Sequence, residues 1–266
     1  MKPQKPVNGS ALCNIRGFAD DGLTDSFFSP SIRKSAIRKS ANPPTMKRVL
    51  ITGTNGMIGQ LILELCLQRT DVASVTSITR KPLGMVHPKL REVIHHDFMD
   101  LSAIRDYLSN QDICFYCIGV YTGTVSREEF RNITVDYTRV FAESLKQMSP
   151  EVVFCFLSGQ GADRTGKSKL MFAQDKGIAE NILEKLAFKQ LIIVRPGYIY
   201  PVTPRKEPNF FYQLSRLLYK PFLSKVYPNI GLTSLQLATA MVKLGWGSAT
   251  QQVYENKEIR QVAMSD

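Results

Sequence analysis

No run of about 18 apolar residues occurs in the 266-residue chain, which excludes a membrane-spanning helix of the usual kind. Histidine is nearly missing, with three in all. His95 and His96 are adjacent and would face opposite ways on a strand, and with His87 as the third no metal site is expected. The cysteines Cys13, Cys66, Cys114, Cys117 and Cys155 are odd in number and follow no framework spacing, which argues against a disulfide scaffold and for a reducing compartment. Cys114 and Cys117 form a C-x-x-C that invites a redox or zinc reading. They sit in an apolar stretch that reads as a buried strand, where residues three apart point to opposite faces, so core packing is expected instead. No internal repeat is visible.

A net charge of +11 would suit a nucleic-acid partner if it were clustered. The first 45 residues hold seven Lys/Arg against three Asp, so +4 belongs to that stretch, and the remaining +7 is spread along the body. Solubility and a site for an anionic cofactor account for it, and no nucleic-acid partner is expected. Residues 1–45 are rich in Ser, Pro, Lys and Arg without a sustained period, and read as a disordered extension to a domain over 46–266. They lack a long apolar core of the secretory type, so the protein is expected to be cytoplasmic. Organelle targeting is the alternative, against which Asp20, Asp21 and Asp25 count; a start at Met46 is another.

What is present is concentrated between Lys47 and Arg69. A basic pair leads into the apolar Val49 to Ile51, and Gly53, Gly56 and Gly59 then recur every third residue before an apolar helical pattern. Strand, tight turn and helix follow from that order. Gly53 lets the chain turn out of the strand, Gly56 removes a Cβ where backbone N–H groups approach a diphosphate, and Gly59 lets the helix pack closely. Asn55 is the expected N-cap, and the positive end of the helix would face the anion. The whole segment Thr52 to Gly59, with Thr54, Asn55, Met57 and Ile58 between the glycines, is a candidate dinucleotide site.

Strands and helices alternate from there, which predicts a doubly wound parallel sheet. Strands are expected at 47–52, 74–80, 91–96, 112–118, 151–158 and 191–195, and helices at 56–69, 100–109, 126–148 and 168–187. The third helix carries one stripe, Phe130, Ile133, Tyr137, Phe141 and Leu145, and is a candidate dimer interface. Prolines 196, 201, 204 and 208 then forbid a regular element. A helix over Asn209 to Tyr227, interrupted by Pro221, and another over Leu235 to Leu244, capped by Thr233 or Ser234, would form a small C-terminal lid or substrate region.

The second strand ends in Arg80-Lys81-Pro82 with no acid at the turn. An acidic residue there would accept bonds from the ribose 2′-hydroxyl, whereas a basic one pairs with a 2′-phosphate, so NADP(H) is favoured over NAD(H). Asp97 and Phe98, past the third strand, are placed to hold the adenine. Ile118 and Gly119, past the fourth, would let the cofactor pass close to the backbone.

These residues, together with Ser158, Lys176 and Arg195-Pro196-Gly197, resemble the atypical short-chain dehydrogenase/reductases, a Rossmann-type α/β fold. The likeness is greatest to the Tat-interactive, oxidoreductase-like group, whose Ser-x-x-Gly-Ala-Asp, Lys-Gly-x-x-Glu and Glu-Asn-Lys-x-Ile segments are matched by Ser158 to Asp163, Lys176 to Glu180 and Glu255 to Ile259. The resemblance covers about 47–262. It implies that Ser158 polarises a substrate carbonyl and that Lys176 binds the nicotinamide ribose. In such reductases a Tyr four residues before the Lys donates the proton; here that residue is Phe172. A phenyl ring has no proton to give. Protonation would have to come from Tyr121, Tyr198, Tyr200 or water relayed by Lys176. The expected function is an NADP(H)-dependent oxidoreductase acting on a small carbonyl or hydroxyl compound. The alternative, which Phe172 supports, is a redox-inactive NADP(H)-binding regulator acting through a protein partner.

Overall fold

A computed structural model describes residues 46–202 and 231–265. The helix expected over 209–227 lies outside the described residues. β1 (Lys47–Thr52), β2 (Val72–Thr79), β3 (Leu90–Ile94), β4 (Ile113–Tyr116), β5 (Val153–Leu157), β6 (Gln190–Arg195) and β9 (Val253–Glu255) form one sheet in the order β3-β2-β1-β4-β5-β6-β9. Each neighbouring pair is parallel. Strands of such a sheet are covered on both faces, which is why β4 reads as an unbroken apolar run, Ile-Cys-Phe-Tyr, and is buried along its length. A second, two-stranded parallel pair joins β7 (Tyr198–Tyr200) to β8 (Gly231–Thr233).

Alternation along the strands splits the core in two. Val49, Ile51 and Phe115 pack beneath α1 (Met57–Gln68), α5 (Ser234–Lys243) and α6 (Asn256–Met264). Leu50, Cys114, Tyr116 and Phe154 face the other way, against the 3-10 turn at Ser102–Leu108, α3 (Tyr137–Met148) and α4 (Met171–Lys185). Cys114 belongs to this second cluster while Cys117, just past the strand, packs against the first, so the C-x-x-C is divided between the two faces of the sheet.

The stripe from Phe130 to Leu145 lies inward, but the helix carrying it is not uniform. α2 (Arg127–Arg131) passes through a π-helical turn, Asn132–Asp136, into α3. Thr233 is the N-cap of α5, and with Gln236 it closes a capping box: the Thr233 hydroxyl accepts the Gln236 N–H at 3.1 Å, and the Gln236 side-chain Oε1 accepts the Thr233 N–H at 3.0 Å.

Three features depart from expectation. The fourth strand stops at Tyr116 rather than 118, because the Cys117 N–H turns to the Thr52 hydroxyl at 3.3 Å and leaves the ladder. The cap of α1 is Gly56, with no side-chain bond, because the Asn55 amide oxygen instead accepts the Thr79 hydroxyl at the end of β2. Finally, the described C-terminal residues build the core rather than a separate region: β9 is a seventh sheet strand, and α5 and α6 cover one face of the core.

Candidate active site

Strands β1 to β3 are added toward one edge of the sheet and β4 onward toward the other, and this switch between β1 and β4 opens a crevice at the carboxyl ends of the strands. The glycine turn forms its floor. Gly53 has φ of +73°, a backbone that side-chain-bearing residues avoid, and a Cβ there would lie 2.5 Å from the Cys117 carbonyl oxygen. A Cβ on Gly59 would lie 2.3 Å from the Gly53 carbonyl oxygen, so α1 begins in direct contact with the turn. With Asn55 engaged elsewhere, the N–H groups of the first turn of α1 have no side-chain acceptor. That helix end is built to receive an anion. Thr54 is held from behind by the Ser77 hydroxyl at 2.8 Å and does not line the crevice.

On the β2 side the crevice widens into a cavity of about 320 Å³. Gly53, Asn55, Gly56, Ile118 and Gly119 line it, with Arg80 and Lys81 at the rim. Phe98 forms a wall and stacks on Tyr137 with centroids 5.7 Å apart. The Asp97 carboxylate is directed elsewhere, accepting the Met99 N–H at 2.8 Å within its own turn, and is not part of the lining. Sequence reading missed Ile133 and Tyr137 as wall residues; they lay in a stripe whose spacing signals only burial.

On the β5 side lies a second cavity of about 550 Å³, sharing Gly56, Cys117, Ile118, Gly119 and Val120 with the first. Met57, Ile58, Gly59, Ser158, Phe172, Lys176 and Pro196 line it, as do Tyr121 and Tyr198. Tyr200, two residues along β7, does not. Lys176 is buried, donates to the Leu157 carbonyl at 3.1 Å and has its ammonium 5.0 Å from the centre of the Phe156 ring. Burial pulls its pKa down, Glu180 and Cys117 pull it partly back, and the amine settles at about 8. The Cys117 thiol, pushed up to about 12 by burial, is inert beside it.

Ser158 is engaged from below. Its hydroxyl donates to Glu180 at 2.5 Å, and Glu180 is fully buried. Arg195 grips the same carboxylate with two nitrogens, its Nε at 2.9 Å, and Arg164 Nε reaches it at 2.8 Å. Burial pushes the Glu180 pKa up, but the bonds from Arg195, Ser158 and Arg164 outweigh it and hold the carboxyl below its ordinary value. Arg195 continues to Glu255 at 3.2 Å, and the next residue, Asn256, accepts the Gly197 N–H at 2.8 Å. Gly177 completes the junction: a Cβ there would overlap the Asp163 carbonyl oxygen at 1.8 Å. The three group-specific segments are thus one assembly, in which the Ser-x-x-Gly-Ala-Asp turn, the Lys-Gly-x-x-Glu helix and the Glu-Asn-Lys-x-Ile terminus lock together behind the cavity. Glu180 stood in the sequence four residues after Lys176, yet nothing local assigned it a partner.

Residues 49–175 match the NAD dependent epimerase/dehydratase family. Protein HTATIP2 of Rattus norvegicus is 26% identical over 218 residues, covering 80% of this chain and 88% of the relative. The protein named FMP52, mitochondrial, of Debaryomyces hansenii is 25% identical over 207 residues, covering 76% and 88%. Among solved structures, MoeE5 in complex with UDP-glucose and NAD superposes with a TM-score of 0.58 at 18% identity, covering 78% of this chain and 74% of that one. The PhqB reductase domain of Penicillium fellutanum gives 0.60 at 16%, covering 80% and 67%. At these identities the structures speak for the fold alone.

Proposed function

We propose that the chain is an atypical short-chain dehydrogenase/reductase, a reading that the family match and the HTATIP2 likeness support, that its crevice binds NADP(H) and that it interconverts a carbonyl and a hydroxyl on a small molecule. The observation that carries this reading is the continuity of the two cavities over a bare helix N-terminus, with a basic rim at one end and a buried lysine at the other. The N–H groups at the start of α1 would hold the diphosphate. Arg80 and Lys81 would pair with a 2′-phosphate, as charge-assisted bonds at an open rim. Phe98, Tyr137 and Ile133 would enclose the adenine, and Ile118, Gly119 and Pro196 would flank the nicotinamide half. Asn55 and Thr54 act indirectly, pinning the turn to β2 through Thr79 and Ser77. The Asp97 carboxylate shapes its own turn rather than reaching the base.

When bound, the reduced nicotinamide supplies a hydride. Lys176 would meet a ribose hydroxyl with one of its two remaining donors, since an ammonium carries three and the Leu157 carbonyl takes one. Apolar and aromatic walls from Met57, Val120, Phe172 and Tyr198 would exclude water from the reacting carbon. The label of the Debaryomyces relative supports reading residues 1–45 as a targeting segment.

A second reading keeps the cofactor and drops the chemistry, so that the protein reports NADP(H) to a partner; Phe172 is the observation that favours it. Titrating the purified protein with NADPH and then presenting aldehydes, ketones and quinones separates the two. Oxidation of NADPH with at least one carbonyl is the expected result. Tight binding with no turnover on any of them would leave only the regulator.

A further inference from the structure

A carbonyl reduction needs a proton on the substrate oxygen, and the position that supplies it in the family carries Phe172 here. Its ring is wedged in place: a Cβ built on Gly159 would lie 2.4 Å from the ring tip, and Phe130 packs against it with centroids 6.5 Å apart. Ser158 offers no proton either. Its single hydrogen goes to Glu180, so the oxygen meets the cavity as an acceptor. Lys176 is differently placed. It lines the same cavity while 7% exposed, and the Leu157 carbonyl takes one of its three N–H donors.

We propose that Lys176 is itself the catalytic proton donor of this crevice, passing a proton from Nζ directly to the carbonyl oxygen of the substrate. The assignment rests on the reductase reading above. As the hydride of the reduced nicotinamide bonds to the carbonyl carbon, the C=O π pair moves onto oxygen, the Lys176 N–H bond breaks and an O–H bond forms. The product is an alcohol, an oxidised nicotinamide and a neutral amine, which regains its proton from water. Ser158, aimed by Glu180, accepts a bond rather than competing for the proton.

The surroundings suit an amine that both holds and releases a proton. Glu180, on the same helix, and the Cys117 thiol, past β4, favour the charged form, while burial opposes it more strongly, and the balance lies at about 8. Asp175, the neighbouring acid, is turned away into ion pairs with Arg127 and Arg131. Arg164 and Arg195 reach Lys176 only through Glu180, which they neutralise. Tyr121 and Tyr198 share the cavity and are the rival donors.

The donor form exists below the amine pKa, so reduction is lost as pH rises through it. With NADPH saturating, kcat/KM for a carbonyl substrate should be level near pH 7 and fall tenfold per pH unit above a break at or above about 8. The break sits there or higher because a negatively charged cofactor held in the same crevice would favour the ammonium. Lys176→Arg keeps a cation and donors but cannot release a proton at these pH values. It should bind NADPH within threefold of the native protein yet lose roughly 10²-fold or more in kcat/KM. Tyr121→Phe and Tyr198→Phe should keep the break of the pH profile at its native position, since burial, Glu180 and Cys117 set the Lys176 amine. Independently of turnover, lysine-selective NMR of the cofactor-free protein should show one amine titrating near 8 that vanishes in Lys176→Arg.

A native rate that is flat to pH 10, a Lys176 signal still protonated at pH 10, or a tyrosine variant that removes the break of the pH profile would overturn the assignment while leaving the reductase reading intact. A native protein that binds NADPH and turns over no carbonyl would remove both.

Discussion

On the β2 side of the crevice the charges stand outside, with Arg80 and Lys81 exposed at the rim around a wall of Phe98 and Tyr137. On the β5 side they lie inside, where Asp175, Lys176 and Glu180 sit buried within six residues of one helix, each satisfied by partners from other elements. Exposed cations act through solvent, are screened by salt and contribute little to holding the fold. Buried charges carry a desolvation cost that only good geometry offsets, and removing one partner strands the rest. One side is suited to recognising a ligand that arrives charged. The other is suited to fixing and tuning groups that must already be in place.

The comparison breaks first if the buried side proves dispensable. Glu180→Ala leaves Arg195 and Arg164 facing a hole and releases the Ser158 hydroxyl. The expected cost is about 3–5 kcal/mol, a fall in melting temperature on the order of 10 °C for a chain of this size, checked by chemical and thermal denaturation. A loss below about 1 kcal/mol would mean that the assembly behind the cavity does not hold it.

Lys176→Met carries the opposite sign. Burial pulls the amine down to about 8 in the fold from an ordinary 10.5, so below pH 8 the buried ammonium costs stability, and the cost fades as pH rises from 8 to 10.5. At pH 7 the variant should therefore be more stable by up to about 3 kcal/mol, with the gap to the native protein closing by pH 10.5. Urea unfolding at several pH values measures it. A destabilised variant at every pH would show that the ammonium holds the fold by its bonds rather than straining it by its charge.

The two sides also differ in how far they could be read from sequence. The glycine turn was legible because the backbone itself demands the residue: φ at Gly53 and the contact at Gly59 leave no room for a Cβ. Arg80 was legible because its position follows from where β2 ends. Ser158 and Lys176 were found as members of a pattern, but the direction of the Ser158 hydroxyl was not, since it depends on a carboxylate 22 residues away that two arginines orient. Asn55 shows the same limit at shorter range: a good N-cap residue by type, it is claimed instead by Thr79, which sequence separates but the sheet brings alongside. β7, β8 and β9, at three residues each, are too short for any alternation to show, and tertiary pairing alone defines them.

The smallest expected effect falls on the exposed side, and it bears on the claim that charge at the rim selects the cofactor. Calorimetric titration of native protein and Arg80→Ala with NADPH and NADH at low salt should show NADPH weakened roughly tenfold, about 1.4 kcal/mol, by the substitution, with NADH unchanged within about twofold. Equal losses for both dinucleotides would contradict it.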